Sequence, residues 1–117
     1  MANAEQHVPL RGVEFHILLS VVDRPRHGYA ILQEAEERTA GRPGFEIPTL
    51  YRALRRLRDV GIIRIAASPE DDADERREYW EATPLGRRVL EAELARLEAA
   101  VTVGRARMKQ SPAGGRK

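Results

Sequence analysis

Between Ile47 and Arg64 the chain carries five arginines, Arg52, Arg55, Arg56, Arg58 and Arg64, against a single acid, Asp59. Arginine presents a rigid fork of donors that can hold two phosphate oxygens at once, or O6 and N7 of a guanine. On a helical wheel of about 100° per residue, Ile47, Leu50, Leu54 and Leu57 fall on one side, with Tyr51 at its edge. Pro48, Thr49, Arg52, Arg56 and Asp59 fall on the other, with Arg55 beside them. An α-helix fits the major groove of duplex DNA, and its first turns reach base edges. Thr49 and Arg52 are therefore the expected base contacts, and Arg55 and Arg56 suit phosphates or either role. Tyr51 is counted with the DNA-contacting residues, although its ring could instead pack into the core with its hydroxyl on the backbone. A charged helix face is often only a solvated one. Its position here, after a helix and turn and before a hairpin, favours the reading face.

Other chemistries find no footing. The chain has no cysteine, so disulfides and thiolate zinc sites are excluded. His7, His16 and His27 lack metal-ligand spacing and read as surface or capping residues. No GxxxxGK[ST] phosphate loop occurs, and Gly41-Arg42-Pro43-Gly44 reads as a turn. Acids abound in one polar loop, where they cannot be preorganised for acid–base work. No cofactor, metal or enzymatic activity is expected.

The elements that must position the arginine face follow from periodicity. Residues 9–23 carry Leu10, Val13, Ile17, Leu18 and Val21 at helical spacing, with Phe15, Leu19 and Val22 on the other side. A helix apolar nearly all round belongs at the centre of a fold. A second helix is predicted over Gly28–Thr39, and a third from Pro48 to Val60, closed by Gly61. Ile62-Ile63-Arg64-Ile65 and Arg77–Thr83 read as two strands of a β-hairpin. The last helix begins at Thr83-Pro84 and runs to about Lys109.

The hairpin loop is acidic: residues 68–81 hold seven acids against Arg76 and Arg77. Arg76 and Arg77 suit the DNA backbone, whereas Glu70, Asp71, Asp72, Asp74 and Glu75 at the tip would be repelled by it. The tip either splays away from DNA, meets a basic partner or weakens non-specific binding, or is a flexible, solvated loop without a partner. In the last helix Leu90, Leu94, Leu97 and Val101, followed by Gly104 and Met108, make a narrow heptad seam flanked by Glu91, Glu93, Arg96 and Glu98. Such a stripe must be buried on its own domain or on a second copy. A homodimer would set two reading helices in successive major grooves.

The expected architecture is mainly α with a small β-hairpin (α+β): a winged helix-turn-helix with an added C-terminal dimerisation helix. Residues 1–83 form the DNA-binding unit, 84–109 the dimerisation helix and 110–117 a disordered tail. A chain of 117 residues, 42% hydrophobic and 32% charged, can bury one such core. No apolar run approaches the roughly 20 residues needed to cross a bilayer, and the N-terminus lacks a signal-peptide pattern. A cytoplasmic protein with no membrane partner is expected.

These residues resemble the PadR-like transcriptional regulators. The resemblance rests on His27-Gly28-Tyr29, on Thr49-Leu50-Tyr51, on Leu57 to Ile63 with Gly61-Ile62-Ile63, and on Tyr79-Trp80-Glu81-Ala82-Thr83-Pro84-Leu85-Gly86. It spans about residues 10–105. It implies a bacterial or archaeal homodimer, usually a repressor, of the smaller subfamily with one C-terminal helix. It also implies release by a small hydrophobic effector bound near the dimer interface. Arg52 stands where many members have proline, Arg58 where a glutamate is common, and the wing is longer and more acidic than usual. Trp80 occupies the wing aromatic, but the C-terminal helix has no tryptophan, so no effector site carries over. A second reading of the same fold is a protein–protein interaction module that uses the acidic hairpin.

Overall fold

The computed structural model describes residues 3–42, 44–69 and 77–112. Helix α1 (Gly12–Val21) lies at the centre, as its all-round apolar pattern requires. Ile17, Leu18 and Val21 are fully enclosed, and Val13, Phe15, Leu19 and Val22 are partly buried around them. Its first turn is closed by Glu14, whose Oε1 accepts the Arg11 amide at 3.0 Å. Helix α2 (Gly28–Thr39) starts from His27, whose Nδ1 accepts the Ala30 amide at 3.2 Å. It ends on Ala40 in the left-handed region at φ 54°, with the Gly41 amide returning to the Glu36 carbonyl. Helix α3 (Ile47–Asp59) has Pro48 in its first turn and buries Leu50, Ala53, Leu54 and Leu57. Gly61, at φ 84°, then turns the chain into the wing, a conformation open to glycine at little cost.

The wing is a three-stranded sheet rather than the two-stranded hairpin expected. Strand β3 (Tyr79–Ala82) lies between β2 (Ile63–Ala66) and a two-residue strand β1 (Arg26–His27), all antiparallel. Arg26 pairs with Trp80 and His27 with Tyr79, while Ile63 pairs with Ala82 and Ile65 with Trp80. β1 thus ties the turn before α2 to the root of the wing. Trp80, Ile62 and Ile63 join α1 and α3 in one core with Ile31, Val89 and Leu90.

Thr83 joins the wing to helix α4 (Pro84–Gln110). Its hydroxyl accepts the Gly86 amide at 3.0 Å and donates toward the carbonyls of Gly61 and Ile62. Gly86 sits so close to the strand that an added Cβ would collide with the Ile62 carbonyl oxygen. The first turns of α4 therefore belong to the core of the domain. A short 3-10 turn at Ala4–His7 packs on the same helix.

Three expectations about α4 change. Leu90, expected at the dimer seam, is only 5% exposed in the core of its own protomer. Glu93, expected among the seam's charged flanks, is 2% exposed and accepts the Leu10 amide at 3.2 Å. The helix continues unbroken through Gly104, and every residue from Glu98 to Gln110 is exposed. Gln110, placed in the tail by sequence, closes the helix. Residues 113–117 lie outside the described residues.

Candidate nucleic-acid interface

Helix α3 is held from three sides by α1, α2 and β2. Its opposite side presents Pro48, Arg52, Arg55 and Asp59 to solvent. Nη2 of Arg52 donates to Oγ1 of Thr49 at 3.3 Å, so the two residues expected to read bases touch each other. Arg55 makes no ion pair among the described residues. Arg58 leans on its neighbour Asp59 at 3.1 Å, an exposed contact that neutralises the end of the helix. Arg64 is occupied across the sheet by Glu81 at 2.8 Å.

Arg56 departs from the sequence expectation. It lies on the flank of α3 that faces α1, and both its Nε, at 2.8 Å, and its Nη2 bind Oε2 of Glu14. The wheel set Arg56 with Arg52, but a flank position answers to whatever stands across from it. Here that is a carboxylate. Glu14 is 8% exposed, and its two oxygens are shared between the α1 cap and Arg56. Sequence reasoning did not single out Glu14. The signal was the one acid inside a largely apolar helix.

The other flank carries Tyr51, which is 39% exposed and not part of the core. Its hydroxyl lies over Gly28, where an added Cβ would run into the ring. Tyr51, Gly28, Tyr29, His27, Trp80, Arg77 and the acid Glu78 line a cleft of about 540 Å³ between α2, α3 and the wing. Nη1 of Arg77 lies 3.5 Å from Nε2 of His27. Arg76 and the acidic tip, Glu70 to Glu75, lie outside the described residues.

Elsewhere, the Arg96 guanidinium, at 2.8 Å, and the Leu10 amide hold the buried Glu93 carboxyl below the usual carboxylate range. The distal face of α4 shows Leu94 at 40%, Val101 at 51% and Met108 at 73% exposure, with Leu97 half-buried. No group of three histidines, cysteines or acids able to hold a metal ion occurs among the described residues. No helix among them is long and apolar enough to cross a membrane.

Comparison with known proteins agrees with this geometry. A PadR family transcription regulator from Clostridium difficile superposes with a TM-score of 0.71 at 23% identity, covering 82% of this chain and 97% of its own. A transcriptional regulator from Clostridium thermocellum is 26% identical with a TM-score of 0.67, covering 80% of this chain and 87% of its own. Bacillus subtilis PadR, solved in complex with operator DNA, gives 0.61 at 20% identity over 72% of this chain and 47% of its own. No curated protein sequence matches. The profile of the Transcriptional regulator PadR-like family matches residues 17–92, a span from α1 through the wing into α4. With its winged helix-turn-helix and that match over well over half its length, the chain belongs to the PadR-like family of transcriptional regulators, which are not enzymes.

Proposed function

We propose that this protein binds duplex DNA as a homodimer and represses transcription from a pseudo-palindromic operator in the cytoplasm. Residues 1–83 serve as the DNA-binding unit and 84–109 as the dimerisation helix. The observation that carries the reading is the outward face of α3. Arg52 and Arg55 point to solvent from a helix whose other side is anchored by four buried side chains. Arginines on so firmly held a helix enter a major groove with little ordering left to do. Thr49 and Arg52 meet base edges, and Arg55 meets phosphate. Tyr51 and Arg77 border the cleft between α2 and the wing, which takes the sugar–phosphate backbone.

Leu94, Leu97, Val101 and Met108 form the seam with a second copy, supported by their exposure beyond the core. Repression, and release by a small hydrophobic effector near that seam, are the family behaviour extended to this chain. The deciding experiment selects bound sequences from random duplex DNA with the purified protein. A two-fold symmetric motif with half-sites about one helical turn, roughly 34 Å, apart is expected. Recovery of no enriched motif would count against the proposal.

A further inference from the structure

We propose that Glu14 withholds Arg56 from DNA and so sets how many phosphates each protomer neutralises. The inference rests on the DNA-binding reading above. Arg56 sits two-fifths exposed on the border of the reading face, with 38% of its side chain open to solvent. By position alone it would join Arg55 at the backbone of the duplex. Its charge is already spent on Glu14, whose side chain is 11% exposed. Leaving a buried carboxylate without a compensating cation costs free energy. For Arg56 to turn toward phosphate, Glu14 would be left with the Arg11 amide as its remaining partner. The pair therefore stays closed when DNA binds.

Two consequences follow from that closure. The α1–α3 contact holds the reading helix by a charge-assisted, two-pronged bond in addition to apolar packing. The face also carries fewer available cations than its sequence shows, which weakens attraction to any duplex regardless of sequence. Phosphate contacts supply most non-specific affinity. Glu14 is thus a positioning residue whose effect falls on discrimination between operator and other DNA.

The test measures binding of the full chain to a short random-sequence duplex over a range of salt. Each phosphate neutralised adds about −0.9 to the log–log slope. E14Q keeps an oxygen for the Arg11 amide but removes the charge that holds Arg56. Its slope should steepen by about 0.9 for each protomer engaged, with tighter binding at low salt. R56Q alone should leave the slope of the unaltered chain as it is. The double variant E14Q/R56Q should return to that same slope. An E14Q slope equal to that of the unaltered chain overturns the inference, as does an R56Q slope flattened by one phosphate. If E14Q fails to fold, an R56Q slope flattened by one phosphate still overturns the inference. Absence of binding by the unaltered chain to any duplex would remove the DNA reading and this inference with it, whereas normal binding with an unmoved E14Q slope removes only the latter.

Discussion

Nδ1 of His16 accepts a hydrogen bond of 3.2 Å from Nε of Arg38, joining the middle of α1 to the last turn of α2. An imidazole nitrogen can accept only when it carries no proton. Arg38 also donates to the His16 carbonyl and to the Ser20 hydroxyl, so the neutral ring is part of the α1–α2 contact. Burial, and secondarily the Arg38 charge, hold the His16 pKa below its ordinary value.

That shift gives stability a pH dependence of defined sign. The unfolded chain protonates His16 near pH 6.5, and the folded chain only at lower pH. Between those values unfolding takes up a proton, so stability rises with pH. The contribution is complete above about pH 6.5 and is lost as the pH falls toward the folded value. Urea midpoints for the protein and for His16→Gln, measured from about pH 7 to pH 5, should diverge from parallel. The unaltered protein loses more on acidification. Parallel curves would show that His16 does not titrate differently on folding.

Arg52 and Arg55 should act separately on the DNA. Replacing Arg55 with alanine is expected to flatten the salt slope by about 0.9 per protomer and to weaken all duplexes alike. Arg52→Ala should cost about 1–3 kcal/mol on the operator and relax preference at one base position. Binding measured against a panel of single-base operator variants checks this. A uniform loss for Arg52→Ala would move that residue to the backbone.

Glu93 anchors the segment before α1 to α4. Glu93→Ala leaves the Leu10 amide without its acceptor and should cost about 1–3 kcal/mol. In a domain of this size that lowers the thermal midpoint by several degrees per kcal/mol, on the order of 4–8 °C. Because Arg96 and the Leu10 amide favour the ionised form, this contribution is present at neutral pH. It is lost as the pH falls from the ordinary carboxylate range through the lowered pKa of Glu93.

Leu94→Glu and Val101→Glu address the seam. Both positions are exposed in the protomer, so neither change should disturb its fold. Size-exclusion with light scattering should show monomers that keep helical content and bind DNA with less affinity. A dimer that persists in the double variant would place the interface elsewhere.

Two glycines of α4 should respond oppositely to alanine. Gly86→Ala forces the Ile62 carbonyl to move, and overpacking of that kind costs about 1–3 kcal/mol. Gly104 has no atom within 4 Å of an added Cβ, so Gly104→Ala should stabilise the helix by up to about 1 kcal/mol. Thermal melts compare the two. A destabilised Gly104→Ala dimer would mean that the partner helix crosses at that point.

The elements legible in the sequence were those whose pattern is local. α3 separates leucines from arginines so sharply that its outward face could be read on a wheel, and Pro48 and Gly61 marked its ends. β1 was not legible, because a two-residue strand carries no period and exists only through its pairing with β3. The partner of Arg56 was equally hidden: a wheel sorts residues into faces but does not say which side chain stands across a flank. Leu90 illustrates a third limit. A heptad stripe looks the same where a helix packs on its own domain and where it leaves it. Only the tertiary structure shows that the change comes after Glu93.

The Thr83 clamp, with Gly86 pressed on the Ile62 carbonyl, makes the base of α4 and the root of the wing a single rigid piece. A helix fixed at one end behaves as a lever. In the proposed homodimer, any change in how two such levers cross would be transmitted without slack to the separation of the two α3 helices, like the legs of a drawing compass. Flexibility in the pair would have to come from bending along α4 itself, where Gly104 is the softest link.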